Sequence, residues 1–269
     1  DILGTGGNCG PDAPTAAISA ATETMLPATT VPIACYRRLI NRLATKQLAN
    51  GSDDRKIVFS FIAQTDALEF ETTSTPRRTQ QLFDYDDYGN QVLHIEYGEV
   101  AGDGTQPATG GDERLTYRTY GVNQTAWIVD RVVRVLQTDL AGAFVSEQRR
   151  YYDGPAYIGL AYGTVLQGNL TRQEDYLGPA AANRWVQSAR FEYDEYGNQI
   201  GRLDPNGILG NSGQPAGGHW TGVVYDSTFH LYPITEEIHV SDQNVLAVHA
   251  LYDLSLGLIT EVIDFNGQS

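Results

Sequence analysis

Five histidines, His94, His219, His230, His239 and His249, and a few adjacent carboxylates are the side chains here with the chemistry to hold a metal or move a proton. Their spacing gives them little to work with. No His-Glu-x-x-His, Cys-x-x-Cys, P-loop or Gly-x-Ser-x-Gly word occurs, so zinc, phosphate-cradling and nucleophile-elbow sites have no carrier. His239 and His249, near Glu236 and Glu237, would have to meet across a hairpin to share an ion. Asp86-Asp87 and Glu236-Glu237 are neighbours in sequence, and successive strand residues face opposite ways, so neither pair forms the facing carboxylates of glycoside hydrolysis. Asp84-x-Asp86-x-Tyr88-Gly89 imitates the opening of an EF-hand loop, yet Tyr88 and Ile95 fall where a carboxylate and a bidentate Glu are required. The expectation is a chain with no catalytic residue, no cofactor and no metal, its aspartates serving turns. Trp127, Trp185 and Trp220 could stack on sugars or line a cavity, although aromatics at strand positions ordinarily pack.

In the chain as a whole, 33 acids face 18 bases in 269 residues, for a formal net charge of -15. So acidic a balance argues against nucleic acid, because binding a phosphate backbone needs basic patches. No apolar run approaches the roughly 18 residues of a membrane span. No basic, apolar leader is visible ahead of Thr15, and the chain reads as a piece of something longer. Cys9 and Cys35 could close one loop, but two cysteines are no disulfide scaffold. Sixteen tyrosines and 28 glycines beside two lysines favour strands and tight turns.

The acids are uneven: residues 1–60 hold five acids and six bases, the remainder 28 and 12. Two domains are expected. Residues 1–54 read as an N-terminal arm whose Tyr36, Leu39, Ile40, Leu43 and Gln47 recur at helical spacing, with Arg38, Arg42 and Lys46 on another face and Asn50-Gly51 as the stop. Residues 55–269 read as short alternating runs punctuated by turn residues, the signature of an all-β, antiparallel region. Surface excursions are expected at Gly102–Asp112 and Asn211–Gly218.

Two words in that region nearly repeat: Phe83-Asp84-Tyr85-Asp86-Asp87-Tyr88-Gly89-Asn90-Gln91-Val92 and Phe191-Glu192-Tyr193-Asp194-Glu195-Tyr196-Gly197-Asn198-Gln199-Ile200. Each reads as a hairpin. Phe83 and Tyr85, or Phe191 and Tyr193, share one face of the entering strand. Asp86 or Asp194 can accept backbone N–H bonds at the turn, Gly89 or Gly197 supplies a positive φ for a type I turn with a G1 bulge, and Asn90 or Asn198 leads out. Looser Tyr-Asp words stand at Tyr152-Asp153-Gly154, Tyr225-Asp226 and Tyr252-Asp253, at irregular intervals, with Asp204-Pro205-Asn206-Gly207 and Asp264-Phe265-Asn266-Gly267 as exit turns.

These residues resemble the YD-repeat, or Rhs-type, proteins, whose repeats carry Tyr-Asp, Gly-Asn and Asp-x-x-Gly signatures. Arg149-Arg150-Tyr151-Tyr152-Asp153-Gly154, Gly168-Asn169-Leu170-Thr171-Arg172 and Val224-Tyr225-Asp226-Ser227-Thr228-Phe229-His230 look more specifically like the B subunit of bacterial insecticidal toxin complexes. The resemblance is clearest over residues 79–267. It implies repeats that form part of a curved or hollow β-shell around a toxin polypeptide. It also implies a secreted or extracellular location, a C-type toxin-bearing subunit and further shell segments as partners, and an A-type pore-forming subunit beyond them. This chain is shorter than a whole B subunit. Asp204-Pro205-Asn206-Gly207 lacks the Asn-x-Tyr-x-Tyr continuation of the self-cleaving Rhs core, so no protease residue carries over. The competing reading is a secreted β-rich module that binds a glycan or a cell-surface partner, as the YD-repeat teneurins do.

Overall fold

The structure, a computed structural model, describes residues 36–51, 55–70, 75–104, 111–178, 184–241 and 243–269. Cys9, Cys35 and the tip of the Gly102–Asp112 excursion lie outside the described residues. Every regular element among the described residues is a β-strand: β1 (Arg37–Asn50), β2 (Lys56–Glu69), β3 (Arg77–Tyr85), β4 (Gln91–Val100), β5 (Arg114–Asn123), β6 (Ile128–Thr138), β7 (Phe144–Tyr152) and β8 (Leu170–Tyr176) come first. They are followed by β9 (Trp185–Tyr193), β10 (Gln199–Leu203), β11 (Ile208–Leu209), β12 (Pro215–Gly217), β13 (Trp220–Tyr225), β14 (Pro233–Ser241), β15 (Asn244–Asp253) and β16 (Leu258–Ile263). The pairings are antiparallel, and strands adjacent in sequence are mostly adjacent in space. No helix is long and apolar enough to cross a membrane.

The helix expected over residues 36–50 is instead strand β1, paired with β2 from Arg37↔Glu69 to Asn50↔Lys56. The reason is visible in the spacing. Four residues is close to one helical turn, but it is also an even number, so Arg38, Arg42 and Lys46 share one strand face as readily as one helix face. Partners distant in sequence decide the matter: Arg42 Nε lies 3.6 Å from Asp66 Oδ2 on β2, and Lys46 Nζ lies 2.7 Å from Asp87 Oδ1 in the β3–β4 turn.

The chain divides into two compact units, Asp1–Arg118 with Leu136–Val145, and Thr119–Val135 with Ser146–Ser269. In the first, β1 to β4 and the start of β5 form a meander. Its centre is polar: Asp66 is fully buried and accepts from Gln80 Nε2 at 3.0 Å and Gln64 Nε2 at 2.9 Å, with Arg78 NH2 at 3.1 Å. A buried carboxylate is tolerable only when paired and hydrogen-bonded in this way. Elsewhere in this unit Phe59, Phe61 and Tyr85 pack with ring centroids 5.0–5.9 Å apart.

In the second unit β7 to β10 and β13 to β16 run as another meander. A small core forms where Val133, Tyr152 and Val165 meet, flanked by Ile128 and Leu170. Val165 belongs to no strand; it lies in the long connection between β7 and β8. The expected surface excursion at Asn211–Gly218 contains strand β12, which pairs back on β11 through Ile208↔Gly217 and Leu209↔Pro215.

Candidate functional site

The two near-identical words form the same local structure. Asp86 N–H donates to Asn90 O at 2.9 Å and Gly89 N–H to Asp86 O at 3.3 Å; the counterparts at Asp194, Asn198 and Gly197 measure 3.0 and 3.2 Å. This is a type I turn closed by a G1 bulge, and both glycines take φ +87°. Asp86 Oδ1 accepts the N–H groups of Tyr88 and Asn90 at 2.9 and 2.8 Å, and its Oδ2 accepts Asn90 Nδ2 at 2.9 Å. Asp194 does the same for Tyr196 and Asn198. Even the ladder irregularity repeats, Tyr85 pairing with Gln91 and Tyr193 with Gln199 while Val92 and Ile200 are bulged. Asp139-Leu140-Ala141-Gly142 and Asp264-Phe265-Asn266-Gly267 close by the same two backbone bonds. The Asp139 copy lacks the Tyr-Asp word, and Asp-x-x-Gly by itself would have found it.

Asp153 and Asp226 do something different with the same residue type. Asp153 is 7% exposed, with φ +54°. Its carboxylate accepts the backbone N–H groups of Leu166, Gln167, Gly168 and Asn169 at 2.7–3.1 Å, stapling the far end of the β7–β8 connection to its start. Burial pushes this carboxyl up, but the N–H donors outweigh burial and hold it below the usual carboxylate range. Asp226 likewise gathers the N–H groups of Thr228, Phe229, Leu231 and Tyr232 at 2.6–3.0 Å, and against its burial they pull its pKa well down. Asp253 caps Ser255 and Leu256. Gly154, next to Asp153, takes φ +73°.

The connection stapled by Asp153 lies over one face of β9 and β10. Tyr157, 2% exposed with φ +62°, is its wedge: its N–H donates to Phe191 O at 2.9 Å and its hydroxyl to Glu192 Oε2 at 2.8 Å. A bulky residue at positive φ is uncommon and persists only where its surroundings hold it. Space for the ring exists because residue 201 is glycine; a Cβ there would collide with the Tyr157 hydroxyl. Burial first, then the bond to Glu192, raises the phenol above its ordinary pKa. A second excursion, carrying β11 and β12, covers the neighbouring patch. Arg190, 8% exposed, donates through NH2 to Gly207 O at 2.5 Å beneath it, next to fully buried Leu203. Nothing in the sequence motifs pointed to Tyr157, Gly201 or Glu192 as a set.

The same face, continued across β7 to β9, carries a ladder of cations on rings. The Arg149 guanidinium stands 4.0 Å from the Trp185 ring centroid and 5.2 Å from that of Tyr162, and Arg172 stands 3.9 Å from Tyr151. Tyr151 donates to Glu174 at 2.9 Å. Trp185 and Trp220 are thus engaged in packing, Trp220 lying 3.6 Å from His239, while Trp127 is 71% exposed at a turn.

Of the candidate ligand groups His239 Nε2 comes within 3.5 Å of Glu237 Oε2, but the two histidines stay apart. His249 pairs with Thr235 in the ladder and His239 with Val245, so the two rings do not face each other. Asp86 spends both oxygens on its own turn, Asp87 pairs with Lys46, and Asp84 accepts from Tyr85 N–H, so the acidic hairpin presents no convergent cage. Among the described residues no three metal-ligating side chains converge.

What stands out chemically is exposed apolar surface. Among the described residues nine apolar side chains are buried and thirty large ones are exposed. Strand β16 shows Leu258, Ile259 and Val262 at 59, 57 and 45%, and the loops beside it show Leu231 at 63% and Leu256 at 68%. A monomeric domain rarely leaves so much uncovered.

No family model and no curated protein matches this chain. Solved structures do. A TcdB2-TccC3 complex superposes with a TM-score of 0.60 at 11% identity, over 86% of this chain and 15% of that one. The same complex without the hypervariable C-terminal region gives 0.61 at 12%, over 86% and 14%. The Photorhabdus luminescens Tc holotoxin pore gives 0.54 at 12%, over 86% and 14%. This chain therefore spans about one-seventh of the chains it resembles, and what it shares with them is an all-β antiparallel fold of the toxin-complex kind.

Proposed function

We propose that this chain is a structural segment of a YD-repeat wall that encloses a toxin polypeptide, as toxin-complex B subunits do, with no catalysis of its own. The observation that carries the reading is the imbalance between buried and exposed apolar side chains. Sheet meanders with thin cores and an apolar outer strand are stable and soluble when further sheet continues them, because an unpaired apolar edge otherwise recruits strands indiscriminately. The fold similarity to toxin-complex chains supplies the context, and the short overlap with them suits a segment rather than a whole assembly. Partners in this reading are further wall segments, a C-type toxin-bearing chain and the pore-forming component, in an exported assembly. The net charge of -15 suits a wall that repels acidic cargo and tolerates basic cargo.

Protease protection tests this. Co-expressed with a C-type chain, the protein is expected to yield a complex in which the tail of that chain survives a protease that digests it when free. A tail equally sensitive in both settings overturns the reading.

A further inference from the structure

On β10 the exposed guanidinium of Arg202 makes no hydrogen bond or ion pair among the described residues. Other arginines of the same unit are engaged: Arg134 Nε lies 2.6 Å from Glu147, and Arg149 and Arg172 lie on aromatic rings. The ladder register places Arg202 beside Thr221, and Thr221 beside Ile238, on one sheet face. One step along each strand on that face come Asp204, His219 and Val240. His219 Nδ1 sits 3.3 Å from Asp204 Oδ2, which fixes the imidazole. These six residues line a cleft of about 290 Å³, at the lower end of the volumes small-molecule sites use. One wall is cationic and polar. The other is apolar, with Ile238 and Val240 exposed at 36 and 41%.

We propose that this cleft binds a small organic carboxylate, the Arg202 fork taking the two oxygens and Ile238 and Val240 packing the apolar body. A guanidinium presents parallel N–H donors that match a carboxylate, and the Thr221 hydroxyl offers one more donor from the neighbouring strand. Asp204 adds a negative charge two residues from Arg202. That charge favours a monoanion over a dianion such as phosphate. The unpaired arginine is notable because the chain has 33 acids to offer it, and Asp204, two residues along, is committed to His219. The inference concerns this cleft alone and stands or falls independently of the wall reading.

The test titrates the intact protein with hexanoate, with hexanol as the neutral analogue and inorganic phosphate as the dianion, following the amide resonances of Thr221, Ile238 and Val240. Hexanoate is expected to saturate these shifts at millimolar concentration, with hexanol and phosphate at least about tenfold weaker, the loss of one charge-assisted hydrogen-bonded pair. Arg202→Gln should lose about tenfold, Arg202→Lys should fall between, and Ile238→Ser should weaken hexanoate while leaving phosphate unchanged. Arg202 is exposed, so both its variants should keep the wild-type thermal midpoint. If hexanoate fails to saturate, binds no better than hexanol or phosphate, or binds Arg202→Gln as it binds the wild type, the carboxylate site is rejected.

Discussion

The Tyr157 hydroxyl donates to Glu192 Oε2 at 2.8 Å from directly above Gly201, so a loop residue, a β9 carboxylate and a β10 glycine form one interlocked contact. Glu192 Oε1 is also 3.5 Å from Gln214 Nε2, which brings the second excursion to the same carboxylate. Gly201→Ala should therefore expel the tyrosine ring and cost roughly 1–3 kcal/mol, the range for overpacking a filled site. Tyr157→Phe removes only the hydroxyl, the atom nearest the new methyl. In a double-mutant cycle by denaturant unfolding the two changes should be strongly non-additive. Additive costs would show that the residues do not share a site.

Gly89 and Gly197 allow the backbone cost of the hairpin word to be isolated. A Cβ at Gly197 meets nothing within 4 Å, and one at Gly89 meets only the Phe59 ring at ordinary distance. Any loss on substitution thus comes from the +87° φ. Replacing either glycine by Val should cost at least about 1 kcal/mol, and Gly197→Asn should cost clearly less, since Asn enters the left-handed region more readily. Equal destabilisation by Val and Asn in urea melts would contradict this.

Acid should undo the aspartate staples in a defined window. Asp153, Asp194 and Asp226 have folded pKa values below the unfolded value of 3.8. Between the folded and unfolded values the unfolded chain binds more protons, so stability rises with pH there. Their contribution is complete above 3.8 and is lost as pH falls through the folded values. The thermal midpoint should accordingly fall steeply only below about pH 4. Asp153→Asn turns an acceptor into a donor facing N–H groups, and should lower stability at pH 7 by about 2 kcal/mol while flattening the acid limb of the curve. An unaltered acid limb in this variant would remove Asp153 from the account.

Strand β16 should make the isolated chain prone to self-association. Its Leu-Ile-Thr-Glu-Val-Ile sequence holds one charge and neither Lys nor Pro, the residues that usually protect an edge. Ile259→Lys should shift sedimentation profiles toward the monomer without changing the far-ultraviolet circular dichroism. A wild-type chain that sediments as a monomer at all concentrations would refute this.

The acidic hairpin should ignore calcium. Asp86 is committed to Tyr88 and Asn90, and Asp87 to Lys46. Chelation by EDTA is expected to leave the thermal midpoint where it was, since a bound metal would add stability by linkage. Saturable calcium heats that vanish in Asp86→Ala would reverse the assignment.

The hairpins were legible in the sequence because everything they need lies within one short word of the chain. Asp86 reaches Tyr88 and Asn90, Gly89 supplies the left-handed residue, and alternation places Phe83 and Tyr85, so local chemistry determines the turn wherever the word occurs. The all-β class followed from the same signals repeated along the chain. Strand β1 was not legible, since spacing by four satisfies a helix and a strand face alike, and the carboxylates that settle the choice, Asp66 and Asp87, sit 24 and 41 residues from Arg42 and Lys46. Asp153 carries the same two-letter word as the hairpins, yet its donors lie 13 to 16 residues downstream, a distance no periodicity reports. Tyr157, Gly201 and Glu192 become a contact, and Arg202, Thr221 and Ile238 one face of a cleft, only once strand register has brought separate strands side by side. Turn formation is set by neighbours along the chain, whereas register is a cooperative outcome of many non-local pairings, and that is why tertiary structure alone decided these sites.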